Sequence, residues 1–192
     1  ESMRNWLRQV VVLGLTCVLQ TFSCSAAFAL PAPRTKAVSS YSTIVERADS
    51  LVAAGRADSA LVLLDSVRAQ YPRAADVHRL YQTVAMGDGP VPPALLADYE
   101  NRLRAAPDDP LALYLVGRLL PDSVGIRYID KALQRDPGIV WARFERASLR
   151  NRRGTPSDSS LAVGDLIELL RTDPSFAEAW QAIGELFIAR GD

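Results

Sequence analysis

The stretch Asp173-Pro174-Ser175-Phe176-Ala177-Glu178-Ala179-Trp180-Gln181-Ala182-Ile183-Gly184-Glu185-Leu186-Phe187-Ile188-Ala189-Arg190-Gly191-Asp192 decides the architecture. A proline opens it, apolar residues recur at helical spacing and a glycine closes it, which is the pattern of one helix between two turns. The same ending, Xaa-Pro, recurs at Tyr71-Pro72, Ala106-Pro107 and Asp136-Pro137. Between two such endings there is room for a helix, a turn and a second helix, and no stretch alternates like a strand.

The first pair shows the unit most plainly. Residues 41–54 place Ile44, Ala48, Leu51 and Val52 on one face, and Gly55 ends the helix. Residues 57–70 turn Ala60, Leu61, Leu64 and Val67 inward before Pro72 closes the unit. The repeat length is roughly 34 residues, and a unit of that size cannot bury its apolar face without a neighbour.

Several positions recur within the unit. Trp180, Ile183, Gly184, Phe187 and Gly191 form an aromatic, a Leu-Gly-like pair, an aromatic and a turn glycine. Gly55, Ala60, Leu64 and Pro72 supply the second half of that pattern in the first unit. Val116-Gly117, Ala132 and Pro137 recur in the third, and Ala147, Gly154, Ala162 and Pro174 in the fourth; the second keeps mainly Pro107. In this respect the chain resembles the tetratricopeptide repeat (TPR) family over residues 41–192, with about four and a half repeats. The resemblance implies an all-α, right-handed solenoid of stacked antiparallel helix pairs. Small residues at Ala48, Gly117, Ala147 and Gly184 would let the paired helices approach closely. Departures are expected in the turns, with Gly87 to Pro93 lengthening repeat two, Pro121-Asp122 shortening repeat three and Thr155-Pro156-Ser157 inserted in repeat four.

The first 29 residues read differently. Met3 precedes a basic stretch with Arg4 and Arg8, then an apolar run from Val10 to Leu19, then Ala27 and Ala29 in an A-x-A pattern. That order describes a secretory signal peptide cleaved after Ala29, which places the mature protein in the periplasm or outside the cell. Two other readings stand beside it. Val10 to Leu30 is long enough for an uncleaved membrane anchor, although Gln20 and several hydroxyl residues weaken it. Lipidation of Cys24 is the other, although Thr21-Phe22-Ser23 lacks the usual leucine three residues before the cysteine. Glu1-Ser2 precede the methionine as a cloning remnant or an upstream start. Residues 30–40 are proline-rich and aperiodic, and read as a flexible leader.

Composition excludes several classes of function. Lysine plus arginine, 22, balance 22 aspartates and glutamates, so no net field favours nucleic acid or an anionic membrane. Membrane contact is expected only through the N-terminal segment. Cys17 and Cys24 both precede Leu30, so the repeats contain no thiol for a disulfide, a nucleophile or a metal. His78 is the single histidine and reads as a surface or partly packed side chain. Gly87-Asp88-Gly89-Pro90 lacks the Gly-Lys that a phosphate loop requires. No catalytic residue, cofactor or metal is expected. Arg190-Gly191-Asp192 spells an adhesion tripeptide but occupies a helix-turn position.

In the family the concave groove is lined from the first helix of each pair. Carried over by position, the resemblance implies partner-binding roles for Val45, Asp49, Tyr114, Arg118, Phe144, Ser148, Gln181 and Glu185. Core packing is the competing role for Tyr114 and Phe144. Separately, Arg143, Arg146, Arg150 and Arg153 step by three, four and three along one helix. Such a row is either a basic face able to fork onto carboxylates or phosphates, or an ordinary charged surface neutralised by nearby acids. The expected function is a non-catalytic scaffold or adaptor that binds a protein or peptide in the bacterial cell envelope. The alternative is the N-terminal repeat region of a larger exported enzyme with its catalytic domain beyond residue 192. The apolar circumference of the 175–190 helix, with Trp180, Ile183 and Phe187, is expected to be a cut edge or a self-association surface.

Overall fold

The computed structural model describes residues 42–190, and among them there are nine helices and no strand. The expectations for residues 1–41 and for Gly191-Asp192 lie outside the described residues. The helices are α1 (Ser42–Ala53), α2 (Ala57–Gln70), α3 (Ala75–Met86), α4 (Pro93–Ala105), α5 (Pro110–Gly117), α6 (Asp122–Arg135), α7 (Val140–Arg153), α8 (Pro156–Thr172) and α9 (Ala177–Arg190). They pair as α1/α2, α3/α4, α5/α6 and α7/α8, followed by α9, as the repeat predicts.

Local chemistry sets the boundaries. Gly55 and Gly154 end α1 and α7 at φ 71° and 69°, in the left-handed region where a side chain is costly. Asp109 accepts from the Leu111 amide at 3.3 Å and, with Pro110 in the first turn, starts α5. Thr155 accepts from the Asp158 amide at 3.0 Å while its hydroxyl donates to the Asp158 carboxylate at 2.7 Å. This reciprocal cap makes Thr155-Pro156-Ser157 the start of a longer α8 rather than an inserted loop. In repeat three the shortening falls on α5, which has only 8 residues, and not on the turn. From Leu111 to Gly117 every residue of α5 is buried, as befits a helix apolar on all sides.

The core is a row of three clusters, each shared between neighbouring repeats. The first centres on Ala48, Leu64 and Val77, the second on Tyr99, Tyr114, Leu115 and Ile129, and the third on Ala162, Leu166, Leu169 and Ile183. Each helix buries its stripe on the next, which is how a solenoid replaces a single central core.

Close approach depends on small residues, though not at every expected position. Ala48 and Ala147 are buried, and a Cβ on Gly117 would stand 2.8 Å from Ile129 Cγ1. Gly125, on the facing helix, packs its Cα against the Gly117 carbonyl so tightly that a Cβ there would overlap that oxygen. Gly184 differs from the expectation. It is exposed, and an added Cβ would meet nothing within 4 Å, because no helix faces it among the described residues. In repeat two the same position is the fully buried Gln82, and α3 and α4 are less closely packed than the other pairs.

These contacts separate two glycine substitutions on helix interiors. Gly125→Ala is expected to destabilise the fold by about 2–4 kcal/mol, because overlap with backbone outweighs helix propensity. Gly184→Ala is expected to be neutral or to stabilise by up to about 1 kcal/mol, since it gains propensity in open space. Urea denaturation followed by circular dichroism measures both.

Candidate functional site

Four of the eight side chains expected to face a partner come together. Phe144 and Ser148 of α7 and Gln181 and Glu185 of α9 line one cleft of about 300 Å³. Its apolar floor comes from Ala147, Leu166, Ala182 and Leu186, and its remaining lining includes Asn151, Arg152 and Glu178. Phe144 serves both core and cleft: its ring stands 5.9 Å from Trp141 and 5.6 Å from Phe176, yet one side remains open. Ser148 donates to the Phe144 carbonyl at 3.1 Å, and Gln181 donates to Glu185 at 2.9 Å, so the cleft walls are held within their own helices.

The other four do not line it. Val45 packs on the first cluster, and Asp49 is exposed on α1. Tyr114 is fully buried, which corrects its expected place in a groove and favours its alternative role in the core. Its hydroxyl has no hydrogen-bond partner among the described residues, and burial pushes the phenol well above its ordinary range. Arg118 is also corrected, because its side chain keeps only 8% exposure. Its Nε donates to Glu145 at 2.9 Å, and its terminal nitrogens donate to Gln82 Oε1 at 2.8 Å, the Arg79 carbonyl at 3.1 Å and Thr83 at 3.4 Å. Gln82 in turn donates to the Leu115 carbonyl at 2.9 Å. The guanidinium therefore ties α3, α5 and α7 together instead of waiting for a ligand. Nearby, the Arg79 guanidinium lies 3.7 Å over the Trp141 ring.

The arginine row on α7 is likewise consumed. Arg146 donates to Asp165 through two nitrogens and to Asp130 at 2.6 Å, and Arg150 reaches the same Asp165 carboxylate at 2.5 Å. Arg153 lies 3.3 Å from Asp158, and Arg143 stands 3.9 Å from Glu168. This side of α7 packs against α6 and α8, whose acids meet it, so it is a neutralised seam and not a basic face. The charged-surface alternative is the nearer one, although Asp165 is itself buried. The apolar circumference of α9 is corrected too. Ile183 and Leu186 are buried against the third cluster, and Trp180 and Ile188 are the exposed pair.

A second cleft of about 290 Å³ opens at the starts of α3, α5 and α7, between Arg73, Leu111 and Trp141. None of the expected partner residues lines it. Among the described residues no cluster of histidine, cysteine and carboxylates is arranged to hold a metal, and no helix is long and apolar enough to cross a membrane.

His78 is fully buried, contrary to its expected surface or partly packed position. Its Nδ1 lies 3.0 Å from the Tyr99 hydroxyl, and its Nε2 3.2 Å from the Pro72 carbonyl. In the neutral ring Nε2 either donates to the Pro72 carbonyl or accepts from Arg102 at 3.1 Å, and Nδ1 takes the opposite role toward the Tyr99 hydroxyl. Burial first, and then the Arg102 guanidinium 3.1 Å away, push the imidazole pKa down from 6.5 to about 4. The histidine is a packed group held between Pro72, Tyr99 and Arg102.

Because the folded pKa is lowered, the unfolded chain binds the extra proton between pH 6.5 and 4. His78 thus contributes stability that is fully present above pH 6.5 and is lost as pH falls through about 4. The loss should approach about 3 kcal/mol. Urea denaturation across pH 7 to 4 is expected to show this decline, and His78→Gln is expected to flatten it.

Neither a family model nor a curated protein matches the chain. Solved structures do. TTC0263, a thermophilic TPR protein from Thermus thermophilus, superposes with a TM-score of 0.56 at 15% identity over 78% of this chain and 82% of that one. MamA gives 0.48 at 16% identity over 75% and 84%, and YrrB, described as a TPR protein with an unusual peptide-binding site, gives 0.45 at 17% over 77% and 76%. Of these three, the likeness to TTC0263 is close enough to bear on the fold, and at that identity it bears on nothing else. Together with the four helix pairs, the recurring Xaa-Pro boundaries and the small-residue contacts at Ala48, Gly117 and Ala147, it identifies residues 42–190 as an all-α solenoid with the tetratricopeptide-repeat fold.

Proposed function

We infer that this protein is a non-catalytic scaffold whose α7/α9 cleft seats a segment of another protein. The observation that carries the reading is the convergence of Phe144, Ser148, Gln181 and Glu185 on one open cleft with an apolar floor. The polar groups of the neighbouring helices are occupied with one another, as in the Arg118 and Asp165 networks, whereas the cleft leaves Asn151, Gln181 and Glu178 toward solvent. An apolar floor with polar walls suits an extended peptide or one face of a helix, in which side chains anchor and amides satisfy the backbone. The scaffold acts in the bacterial cell envelope, a reading supported by the basic, apolar and small-residue order of residues 3–29.

The test is selection of a displayed library of random dodecapeptides on the full chain. Binders are expected that lose at least about tenfold in affinity, roughly 1.4 kcal/mol, with the Ser148→Arg variant, which fills the cleft. Circular dichroism checks that the variant keeps its helices. An empty selection, or binders indifferent to Ser148→Arg, would contradict the reading. Envelope material whose first residue is Leu30 would support export, whereas a cytoplasmic chain retaining residues 3–29 would oppose it.

A further inference from the structure

The charge on the cleft walls says more about the occupant. Three ionisable side chains line the cleft, Arg152, Glu178 and Glu185. Arg152 is already engaged, because its Nε and a terminal nitrogen donate to one Asp122 oxygen at 3.2 and 2.9 Å. Glu185 accepts from the neutral Gln181 amide at 2.9 Å and meets no cation among the described residues. Glu178 senses Arg79 electrostatically, but that guanidinium is stacked on Trp141 and makes no ion pair with it among the described residues. Two exposed carboxylates therefore stand without an ion pair among the described residues beside an apolar floor, and the one cation of the lining, Arg152, is paired with Asp122.

We propose that the α7/α9 cleft selects an extended peptide segment in which a lysine or arginine adjoins an apolar residue. The proposal rests on the peptide-binding reading above and specifies its ligand. The apolar side chain would lie on Ala147, Leu166, Ala182 and Leu186, burying area from water. The methylenes of the basic side chain would cover the open face of Phe144 while its head reaches Glu178 or Glu185. The Asn151 amide, which lines the same cleft, carries both a donor and an acceptor for the segment's backbone. An acidic segment would bring its carboxylates against two like charges, with the one cation of the lining, Arg152, already held by Asp122. The cleft volume of about 300 Å³ stands at the lower end of ligand pockets, so it takes a few side chains and not a folded domain.

The experiment uses the dodecapeptides selected on the full chain. The binders are expected to be enriched in lysine or arginine beside an apolar residue relative to the input library. The tightest one is then synthesised with its basic residues intact, replaced by glutamine, and replaced by glutamate, and Kd is measured by fluorescence anisotropy. The glutamate version should bind at least about tenfold more weakly, and Kd of the basic version should rise about three- to tenfold between 50 and 500 mM salt. A Glu178→Gln/Glu185→Gln variant, altered only at exposed positions, should bind the three peptides within about twofold of one another. Binders that depend on Ser148 but lack a basic preference would overturn this proposal and leave the scaffold reading standing. A basic preference that survives in the double glutamine variant would also overturn it, since the selecting charge would lie elsewhere. An empty selection would overturn both.

Discussion

A guanidinium buried between three helices holds the middle of this solenoid. Arg118 loses nearly all contact with water, a cost of several kcal/mol that is offset because its Nε and both terminal nitrogens find acceptors. Those acceptors are Glu145 on α7 and Gln82, Thr83 and the Arg79 carbonyl on α3. Apolar contacts between repeats tolerate sliding, whereas a fork with four fixed acceptors fixes one register. Gln82 belongs to the same constraint. It occupies a position where other repeats carry alanine or glycine, and its amide bonds to the Leu115 carbonyl and to Arg118. The network thus supplies a directional tie between repeats two, three and four.

Charge elsewhere follows the same rule. Asp165 gathers Arg146 and Arg150, Asp130 shares Arg146, and Arg68 spans Asp65 and Asp98. These ties use up cations that a linear reading would assign to a ligand. Two glutamates that no ion pair holds among the described residues, Glu178 and Glu185, stand above the apolar floor between α7 and α9. The functional reading follows from this subtraction as much as from the cleft itself.

The helix pairs were legible because their signals are local. A proline, a glycine with positive φ or an Asp and Thr cap acts on its own neighbours, and the boundaries at Gly55, Asp109 and Gly154 could be read without knowing the fold. The cleft residues were half legible. The register put Phe144, Ser148, Gln181 and Glu185 on a common side, and the four line one cleft. It failed for Tyr114 and Arg118, because α5 has only 8 residues and lies buried between α3, α4 and α6. The arginine row misled for a related reason. Its partners Asp130, Asp158 and Asp165 sit on other helices, and spacing along α7 cannot show what faces it across a helix interface. A signal for the network was present all the same. Gln82 at a position otherwise held by Ala48, Gly117, Ala147 and Gly184 announces a buried amide that needs a partner.

The most direct test of this account is a double-mutant cycle on Arg118 and Glu145, read by urea denaturation. If the pair ties the repeats together, Arg118→Met alone should cost about 3–5 kcal/mol by leaving Glu145 buried without its cation. Adding Glu145→Gln should recover part of that loss, giving a coupling energy of at least about 1 kcal/mol. Single-variant losses below about 1 kcal/mol that simply add would show that the guanidinium is a passenger, and the account of the fold would fail.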